Sequence, residues 1–246
     1  MVAPSSFSAS GRSLFRTALA LGLTASMLLR PGLAAAQSAP GETLIRDTEI
    51  EDILRKDATP LFKSAGVDAS HIQILIVGSR PDDPNAFAGP GVMGVTTALI
   101  LESSNPNELQ GVMAHEVGHL AGGHSARSDE MAHAGMRPFL LTMGLGLLAA
   151  LAGSGDAAAG LVGSASYFGA LGMAGYSREQ EGRADQAGAT ILEKAGLSGR
   201  GLVEFFNKFR YQEVFAEYRR YKYFIDHPLS SDRIDSLDVR VRKAPH

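Results

Sequence analysis

The segment that most constrains this chain is residues 111–124, GVMAHEVGHLAGGH, where three of the seven histidines and one glutamate interrupt an apolar run. His115 and His119 are four residues apart, so on a helix they differ by about 40° of rotation and about 6 Å of rise and project from one face. Imidazole nitrogens on an otherwise apolar face need a partner. The HExxH pattern therefore predicts a metal ion, expected to be zinc, held by these two histidines, with Glu116 as the general base.

The third ligand is expected on a second helix, in residues 177–196, SREQEGRADQAGATILEKAG. On a helical wheel, Glu181 and Asp185 fall at the centre of the apolar stripe, whereas Glu179 and Arg183 lie on the far side. Buried carboxylates need a cation or strong hydrogen-bond donors. We predict Glu181 as the third ligand and Asp185 as the acceptor of a ligating imidazole N–H, or as a proton donor to the leaving amine. A buried ion pair without a metal is the alternative.

His124 is the remaining histidine of the first segment, and its spacing argues against a ligand role. It follows His115 by nine residues, which is about 180° around an ideal helix. A third histidine six positions after the second would stand at position 125, which is Ser125. His124 is therefore expected at the end of the helix, outside the metal site.

The rest of the chain is predicted to form helices and one small group of strands. Asn105, Pro106 and Glu108 are suited to a helix N-cap, a first turn and a capping box, so the HExxH helix is expected to begin there. Ser177 is interpreted as the cap of a separate helix that runs to Ala195. Further helices are predicted over 47–62 with a break near Pro60, over 198–209 and from about residue 230, and strands over 71–77, 82–88 and 91–97.

Residues 138–177 contain a single charged residue, Asp156, beside turn-forming residues. The apolar run over 139–151 is short for a bilayer span, and residues 157–177 are long enough but weakly hydrophobic. Their glycines and alanines let two helices approach closely, with a turn at 153–156. We expect an apolar helical hairpin that packs on the protein or contacts a membrane surface through residues 139–176, with membrane insertion as the alternative.

The first 36 residues are organised like a secretory signal peptide. Arg12 and Arg16 lie near an apolar run over 17–29, and small residues at 34–36 suit cleavage before Gln37. That run is too short for a bilayer span, which needs about 20 residues, although a retained anchor is the alternative. The prediction is a signal peptide over 1–36, a linker over 37–44 and one domain over 45–246. The domain is expected in a bacterial periplasm, with membrane association through residues 139–176 as a further expectation.

Composition excludes several classes of function. Removing the leader takes away three arginines and no acidic residue, which changes the formal charge from −3 to −6. Because no basic cluster remains, nucleic acid is not an expected partner. The chain has no cysteine, which excludes a disulfide framework and lipid attachment through a lipobox cysteine.

Four motifs together resemble those of the M48 zinc metallopeptidases, a family that includes periplasmic outer-membrane-maintenance proteases. They are NPNELQGVMAHEVGHLAGGH, EGRAD as the family's ExxxD, PNAFAGPG and HPLSSDRI, in the family's order. The resemblance covers about residues 45–240; the paired HExxH and ExxxD motifs are specific and the other two are supportive. The periplasmic relatives often carry C-terminal tetratricopeptide repeats, which do not occur within residues 1–246.

The resemblance implies one zinc ion per chain on His115, His119 and Glu181, with Glu116 as the catalytic base and Asp185 as the ExxxD aspartate. It also implies a fold of the α+β class, mostly helical: a zincin-type (gluzincin) metallopeptidase domain. Such a domain has a small sheet whose edge strand lies beside the HExxH helix. It also has an apolar helical hairpin.

Two further features follow from the resemblance alone. Asn85, Ala86 and Phe87 correspond to the family's edge strand beside the cleft, where an extended substrate can pair by β-augmentation. His227 corresponds to a histidine that returns toward the metal, where it stabilises the oxyanion or closes the fourth zinc position and silences the enzyme. The alternatives are an ordinary edge strand and a helix-entry histidine without catalytic duty.

The expected function is that of a periplasmic zinc endopeptidase that degrades misfolded or stalled cell-envelope proteins. The expected partners are unfolded or misassembled envelope proteins, bound as substrates. The alternative is a zinc-stabilised periplasmic chaperone or adaptor that binds such clients without cleaving them. Glu116 favours the protease, since a purely structural metal site gains nothing from a base beside it.

Overall fold

Seven α-helices and four short strands make up the described part of the chain, residues 43–211 and 227–245 of this computed structural model. In order, they are β1 (Thr43–Ile45), α1 (Thr48–Ser64), β2 (Gln73–Gly78), β3 (Ala86–Gly89), β4 (Val92–Thr96), α2 (Thr97–Glu102), α3 (Pro106–Gly122), α4 (Ser128–Leu151), α5 (Gly155–Lys194), α6 (Arg200–Asn207) and α7 (Ser231–Arg242). The prediction of a mostly helical chain with a small sheet is confirmed. The predicted signal peptide lies outside the described residues, and β1 takes up the last two residues of the predicted linker.

The four strands form one mixed sheet in the order β1-β2-β4-β3. β2 and β4 run parallel at its centre, and β1 and β3 pair with them antiparallel at the two edges. Ile74 and Ile76 of β2 are buried while their neighbours are more exposed, because alternate side chains of a strand face opposite sides of the sheet. β3 is the edge strand that lies against α3, and it begins at the second of the three residues predicted for that role.

Helix α3 carries the HExxH motif, and its start is formed as predicted. Asn105 Oδ1 accepts a hydrogen bond from the Glu108 backbone N–H at 3.0 Å, and Pro106 is the first helical residue. The Glu108 carboxylate accepts a hydrogen bond from the Ser104 backbone N–H at 2.8 Å. At the other end Gly123 adopts a left-handed conformation with φ +65°, which ends the helix.

Two glycines allow α3 and α5 to touch backbone to backbone. A Cβ on Gly118 of α3 would lie 2.8 Å from the carbonyl oxygen of Ala184 in α5. A Cβ on Gly188 of α5 would lie 3.1 Å from the backbone nitrogen of His115. Because no side chain separates the two helices here, the HExxH residues and the acidic residues of α5 face each other at short range.

The hydrophobic core lies between α1, α3, the C-terminal half of α5, the short helices α6 and α7, and the inner face of the sheet. Its contiguous packing explains why these elements hold a fixed arrangement around the two motifs. The largest fully buried side chains are Leu54, Leu61, Phe62, Ile76, Met93, Leu99, Met113, Leu192, Leu202, Phe205 and Phe206.

Two predicted helix boundaries are wrong. Pro60 does not break α1, which continues to Ser64, because Leu61 and Phe62 are fully buried beyond it and their burial offsets the cost of about 3 kcal/mol of an internal proline. Ser177 caps no helix, because α5 runs without interruption from Gly155 to Lys194. The polar residues near position 177 mark a change in the surroundings of one helix.

The predicted hairpin is confirmed: α4 and the N-terminal half of α5 are antiparallel and joined by a turn at residues 152–154. We call residues 138–177 the apolar hairpin. The expectation that it packs on the protein is wrong for its outer faces, where large hydrophobic side chains such as Leu141, Leu147 and Leu148 are exposed.

Candidate metal and catalytic site

Three side chains from α3 and α5 meet at one point. The Nε2 atoms of His115 and His119 are 3.1 Å apart, and the Glu181 carboxylate oxygens lie 3.4 and 3.3 Å from them. Ligands held tetrahedrally at about 2.0–2.1 Å from one zinc ion are about 3.3 Å from each other. The three separations therefore fit a shared tetrahedral zinc ion, as expected for this donor set.

His227 brings a fourth donor to the same point. One donor atom each from His115, His119, Glu181 and His227 lies within 4.8 Å of the other three. Nδ1 of His227 is 3.2 Å from both carboxylate oxygens of Glu181, and its Nε2 is 3.5 Å from Oε1 of Glu116. The ring thus lies between the third predicted ligand and the predicted base.

Glu116 is buried beside this cluster and next to the edge strand. Burial raises the pKa of its carboxyl above the ordinary value, while positive charge on His227 and His115 acts in the opposite direction. The backbone of Ala88, in β3, lies close enough to this carboxylate to act against the rise in its pKa as well. The predicted base and the edge strand are therefore neighbours, and a raised pKa makes the carboxylate a better proton acceptor near neutral pH.

Asp185 lies one turn after Glu181 and contacts a ligand histidine from behind. Its Oδ1 is 2.9 Å from Nδ1 of His115. The guanidinium of Arg233 donates from Nε and Nη2 to the two Asp185 oxygens, both at 2.8 Å. Burial alone would raise the pKa of Asp185, but hydrogen bonds and charge from His115 and Arg233 outweigh it and lower the pKa. The carboxylate is ionised, which suits the predicted acceptor role.

Arg233 is the site residue that the sequence analysis missed. Besides its fork with Asp185, its Nη1 lies 3.2 Å from Glu181 Oε2 and donates to the carbonyl oxygen of Pro228. One guanidinium therefore contacts both acidic residues of the ExxxD motif. The one sequence feature that could have identified Arg233 is its position in HPLSSDRI, six residues after His227. This stretch otherwise predicts only the start of a helix.

The two histidines predicted as ligands, His115 and His119, differ in their affinity for a proton. Burial lowers the pKa of His119 to about 4. Burial acts the same way on His115, but Asp185 and Glu181 outweigh it and raise its pKa to about 10. Burial would likewise raise the pKa of Glu181, yet hydrogen bonds from His115 and His119 lower it. The cluster is thus built to hold positive charge at its centre.

His124 lies nearer to the site than a straight helix predicts. It stands at the helix end as expected, but the left-handed turn at Gly123 brings its Nδ1 to 2.8 Å from Nδ1 of His119. A Cβ on Gly122 would lie 2.5 Å from the His124 ring, so glycine leaves room for it. His124 contacts a predicted ligand without joining the group of four donors.

The three residues predicted to bind substrate differ in exposure. Phe87 is 42% exposed, whereas Ala86 and Asn85 are buried. The Asn85 backbone N–H donates to Thr96 Oγ1 at 2.7 Å, which ties the start of β3 to the end of β4. Within this segment, only the Phe87 side chain is well placed to touch a substrate.

The HExxH helix faces a helix with two buried acidic residues and lies beside an edge strand. This arrangement is typical of the metallopeptidases. The sequence model of peptidase family M48 matches residues 45–241. The chain belongs to this family and is a metalloprotease by class.

Named relatives agree with this assignment. The chain is 27% identical over 205 residues to the putative beta-barrel assembly-enhancing protease of Vibrio cholerae, covering 83% of this chain and 42% of that protein. It is 34% identical over 166 residues to the metalloprotease LoiP of Escherichia coli, covering 65% and 59%. It is 30% identical over 206 residues to the beta-barrel assembly-enhancing protease of Escherichia coli, covering 83% and 40%. The chain spans about half the length of these relatives.

Proposed function

We propose that this chain is a zinc-dependent endopeptidase that holds one zinc ion through His115, His119 and Glu181. The observation that carries the proposal is the set of donor separations, 3.1–3.4 Å, which equal those of a tetrahedral zinc site. When bound there, zinc lowers the pKa of a water molecule toward about 7 and polarises the scissile carbonyl.

The surrounding residues have distinct tasks in this proposal. Glu116 takes the proton of the attacking water and passes it to the amide nitrogen as the peptide bond breaks. Asp185, whose Oδ1 lies 2.9 Å from Nδ1 of His115, would accept the Nδ1–H of this histidine in the zinc-bound enzyme and so keep Nε2 turned toward Glu181. Because Arg233 keeps Asp185 ionised, orientation of the histidine is favoured over proton donation to the leaving amine.

We further propose that substrates bind as an extended strand along β3. Among the described residues this strand pairs with one neighbour in the sheet, β4, and the Ala88 backbone adjoins Glu116. A peptide that pairs with the edge would therefore pass directly by the base. Since extended, accessible backbone is a property of unfolded chains, such a site selects for conformation more than for sequence.

The proposed substrates are misfolded or stalled proteins of the cell envelope, cleaved in the periplasm. The leader-like composition of residues 1–36 supports export. The names of two relatives, which describe proteases that enhance beta-barrel assembly, support the envelope as the place of action.

The direct test compares cleavage of casein and of an unfolded outer-membrane protein by the wild type, Glu116→Gln and chelator-treated protein. Loss of the general base should lower kcat by about a hundredfold or more, with zinc content unchanged. Chelation should abolish cleavage, and added zinc should restore it. Cleavage that survives both treatments would remove the protease assignment, and client binding without cleavage in both the wild type and His227→Ala would favour the chaperone.

His227 is proposed to close the fourth zinc position and hold the enzyme silent. Its ring lies within 3.2 Å of Glu181 and 3.5 Å of Glu116, where a substrate carbonyl and water would have to enter. His227→Ala should therefore raise the peptidase rate on unfolded substrate. An equal or lower rate would contradict silencing, and a lower rate would indicate stabilisation of the oxyanion.

A further inference from the structure

The outer surface of the apolar hairpin has no partner among the described residues. Eighteen large hydrophobic side chains are exposed in the described part of the chain, and twelve of them lie on α4 and α5 in or next to the hairpin. A contiguous apolar surface of this extent is rare on a soluble monomer and marks an interaction site. The twelve are Met136, Leu140, Leu141, Leu145, Leu147, Leu148, Leu151, Val162, Tyr167, Phe168, Leu171 and Met173.

The hairpin lacks the charged face of a helix that lies flat on a membrane. Residues 138–177 contain one charge, Asp156, which stands in the first turn of α5 beside the hairpin bend. Helices that rest at a lipid surface carry a strongly polar face opposite the apolar one. Helices that are apolar all round are suited to a surrounding that is apolar on every side.

Two hydroxyl side chains within the hairpin are satisfied inside their own helices. Thr142 Oγ1 donates to the carbonyl oxygen of Pro138 at 2.8 Å, and Ser164 Oγ donates to that of Leu161 at 3.0 Å. In hydrocarbon, where water is absent, each polar group needs such an internal partner. These hydroxyl groups can therefore leave water without losing a hydrogen bond.

The two helices contact each other through glycine. A Cβ on Gly146 would lie 2.8 Å from the Val162 side chain, and one on Gly172 would meet the backbone of Ala134. Close approach at small residues is how helices associate in lipid, where burial of apolar surface gives no advantage. The hairpin is therefore held together by contacts that do not depend on surrounding water.

The hairpin is long enough to enter the hydrocarbon core of a bilayer, although its shorter arm does not reach across it, and arginines flank its two ends. Both helices are long and apolar enough to cross a membrane, with mean hydropathy 1.5 and 1.3. The uncharged arms, 138–151 and 157–177, are about 21 and 31 Å long, against a hydrocarbon core of about 30 Å. Exposed Arg137 and Arg178 stand immediately before and after the hairpin, where long basic side chains reach anionic headgroups.

We propose that residues 138–177 insert into a lipid bilayer with the turn at 152–154 leading. A bilayer matches the apolar surface on the outer sides of both helices, the intrahelical hydrogen bonds of Thr142 and Ser164, and the exposed arginines that flank the hairpin. The metal site lies outside the inserted part, because Glu181 follows Ser177 by four residues, or about 6 Å of helix. If the proposed peptidase function also holds, its substrates are cut close to the membrane surface.

The absence of cysteine allows a position-specific test in the full chain. Leu147→Cys places a polarity-sensitive fluorophore on the hairpin, and Leu101→Cys places it on α2 at a leucine that is also exposed. With vesicles of phosphatidylethanolamine and phosphatidylglycerol, the label at 147 should shift to the blue and be quenched by brominated lipid. The label at 101 should do neither. An unshifted label at 147 would overturn the proposal, whatever the peptidase activity.

A second variant separates insertion from other apolar contacts. Leu141→Glu with Leu148→Glu, added to the chain labelled at 147, should weaken vesicle binding at that label at least tenfold, and Leu101→Glu should leave it unchanged. Circular dichroism checks that both variants keep their helices. If the label at 147 responds instead to protein concentration or to unfolded casein, and not to lipid, the surface binds a second copy or a client and the proposal fails.

Discussion

The two halves of helix α5 have opposite relations to their surroundings, although they belong to one unbroken helix. In residues 155–177, with one charged residue, only Ala165 and Gly169 are buried. In residues 178–194, with seven charged residues, Glu181 and Asp185 are buried together with a stripe of aliphatic side chains. Burial along this helix is therefore set by what faces it: the inner half packs against α3 and Arg233, which surround its acidic residues, while the outer half packs against α4 alone and leaves its other sides exposed.

The largest effect should come from removing the cation that faces the inner half. Arg233→Met leaves the carboxylates of Asp185 and Glu181 buried without their guanidinium partner. Loss of one member of a buried ion pair costs about 3–5 kcal/mol, and we expect the free energy of unfolding to fall by that amount in chelator. Urea denaturation measures it, and zinc should restore part of the loss, since the metal neutralises Glu181.

Arg178→Met is the matched control, because Arg178 is exposed at the start of the inner half. Its effect on the free energy of unfolding should stay within about 0.5 kcal/mol. Similar losses of unfolding free energy for the two variants would contradict this prediction. They would show that the buried arginine on the side of α3 and α7 stabilises the protein no more than the exposed one.

A smaller effect should follow from adding one methyl group to each half of α5. Gly188→Ala places a Cβ 3.1 Å from the His115 backbone nitrogen, so we expect a loss of about 1–3 kcal/mol in the free energy of unfolding. Gly163→Ala has no atom within 4 Å of the new Cβ, and the better helix propensity of alanine should stabilise the protein by up to about 1 kcal/mol. Thermal unfolding of both variants tests the difference, which disappears if α3 and α5 can move apart freely.

The last prediction concerns the pH dependence of zinc binding at the inner half of α5. Because Asp185 and Glu181 raise the pKa of His115 to about 10, this histidine must release a proton when zinc binds. The apparent zinc affinity should therefore rise with pH, by about tenfold or 1.4 kcal/mol per pH unit, and continue to rise between pH 7.5 and 9. Competition with a chromophoric chelator measures it. A plateau above pH 7 would show that His115 titrates like an ordinary histidine, and Asp185→Asn should produce that plateau.

The metal cluster was largely predictable because its signals are local. His115 and His119 are one helical turn apart, and the 3.6-residue period alone put Glu181 and Asp185 on the buried side of α5. The prediction that these groups converge needed only two helices in contact, which Gly118 and Gly188 permit.

Other parts were not predictable, for reasons that concern distance along the chain and backbone geometry. Arg233 meets Asp185 across 48 positions, and no periodicity links them. His124 was placed about 180° from His115 because a straight helix was assumed, whereas Gly123 turns the chain. The polar residues after Tyr176 resemble a helix start, although they mark the point where one helix passes from an apolar surface into the core.

The length of α5 has a mechanical consequence. Forty residues of continuous helix are about 60 Å long and contain no proline at which to bend. The helix is therefore a stiff rod with Glu181 and Asp185 in its C-terminal half, while its N-terminal end lies at the hairpin turn beside the exposed leucines of α4. A tilt of the N-terminal end of α5 would displace the Glu181 and Asp185 carboxylates relative to His115 and His119. The geometry of the candidate site is therefore sensitive to what binds the hairpin.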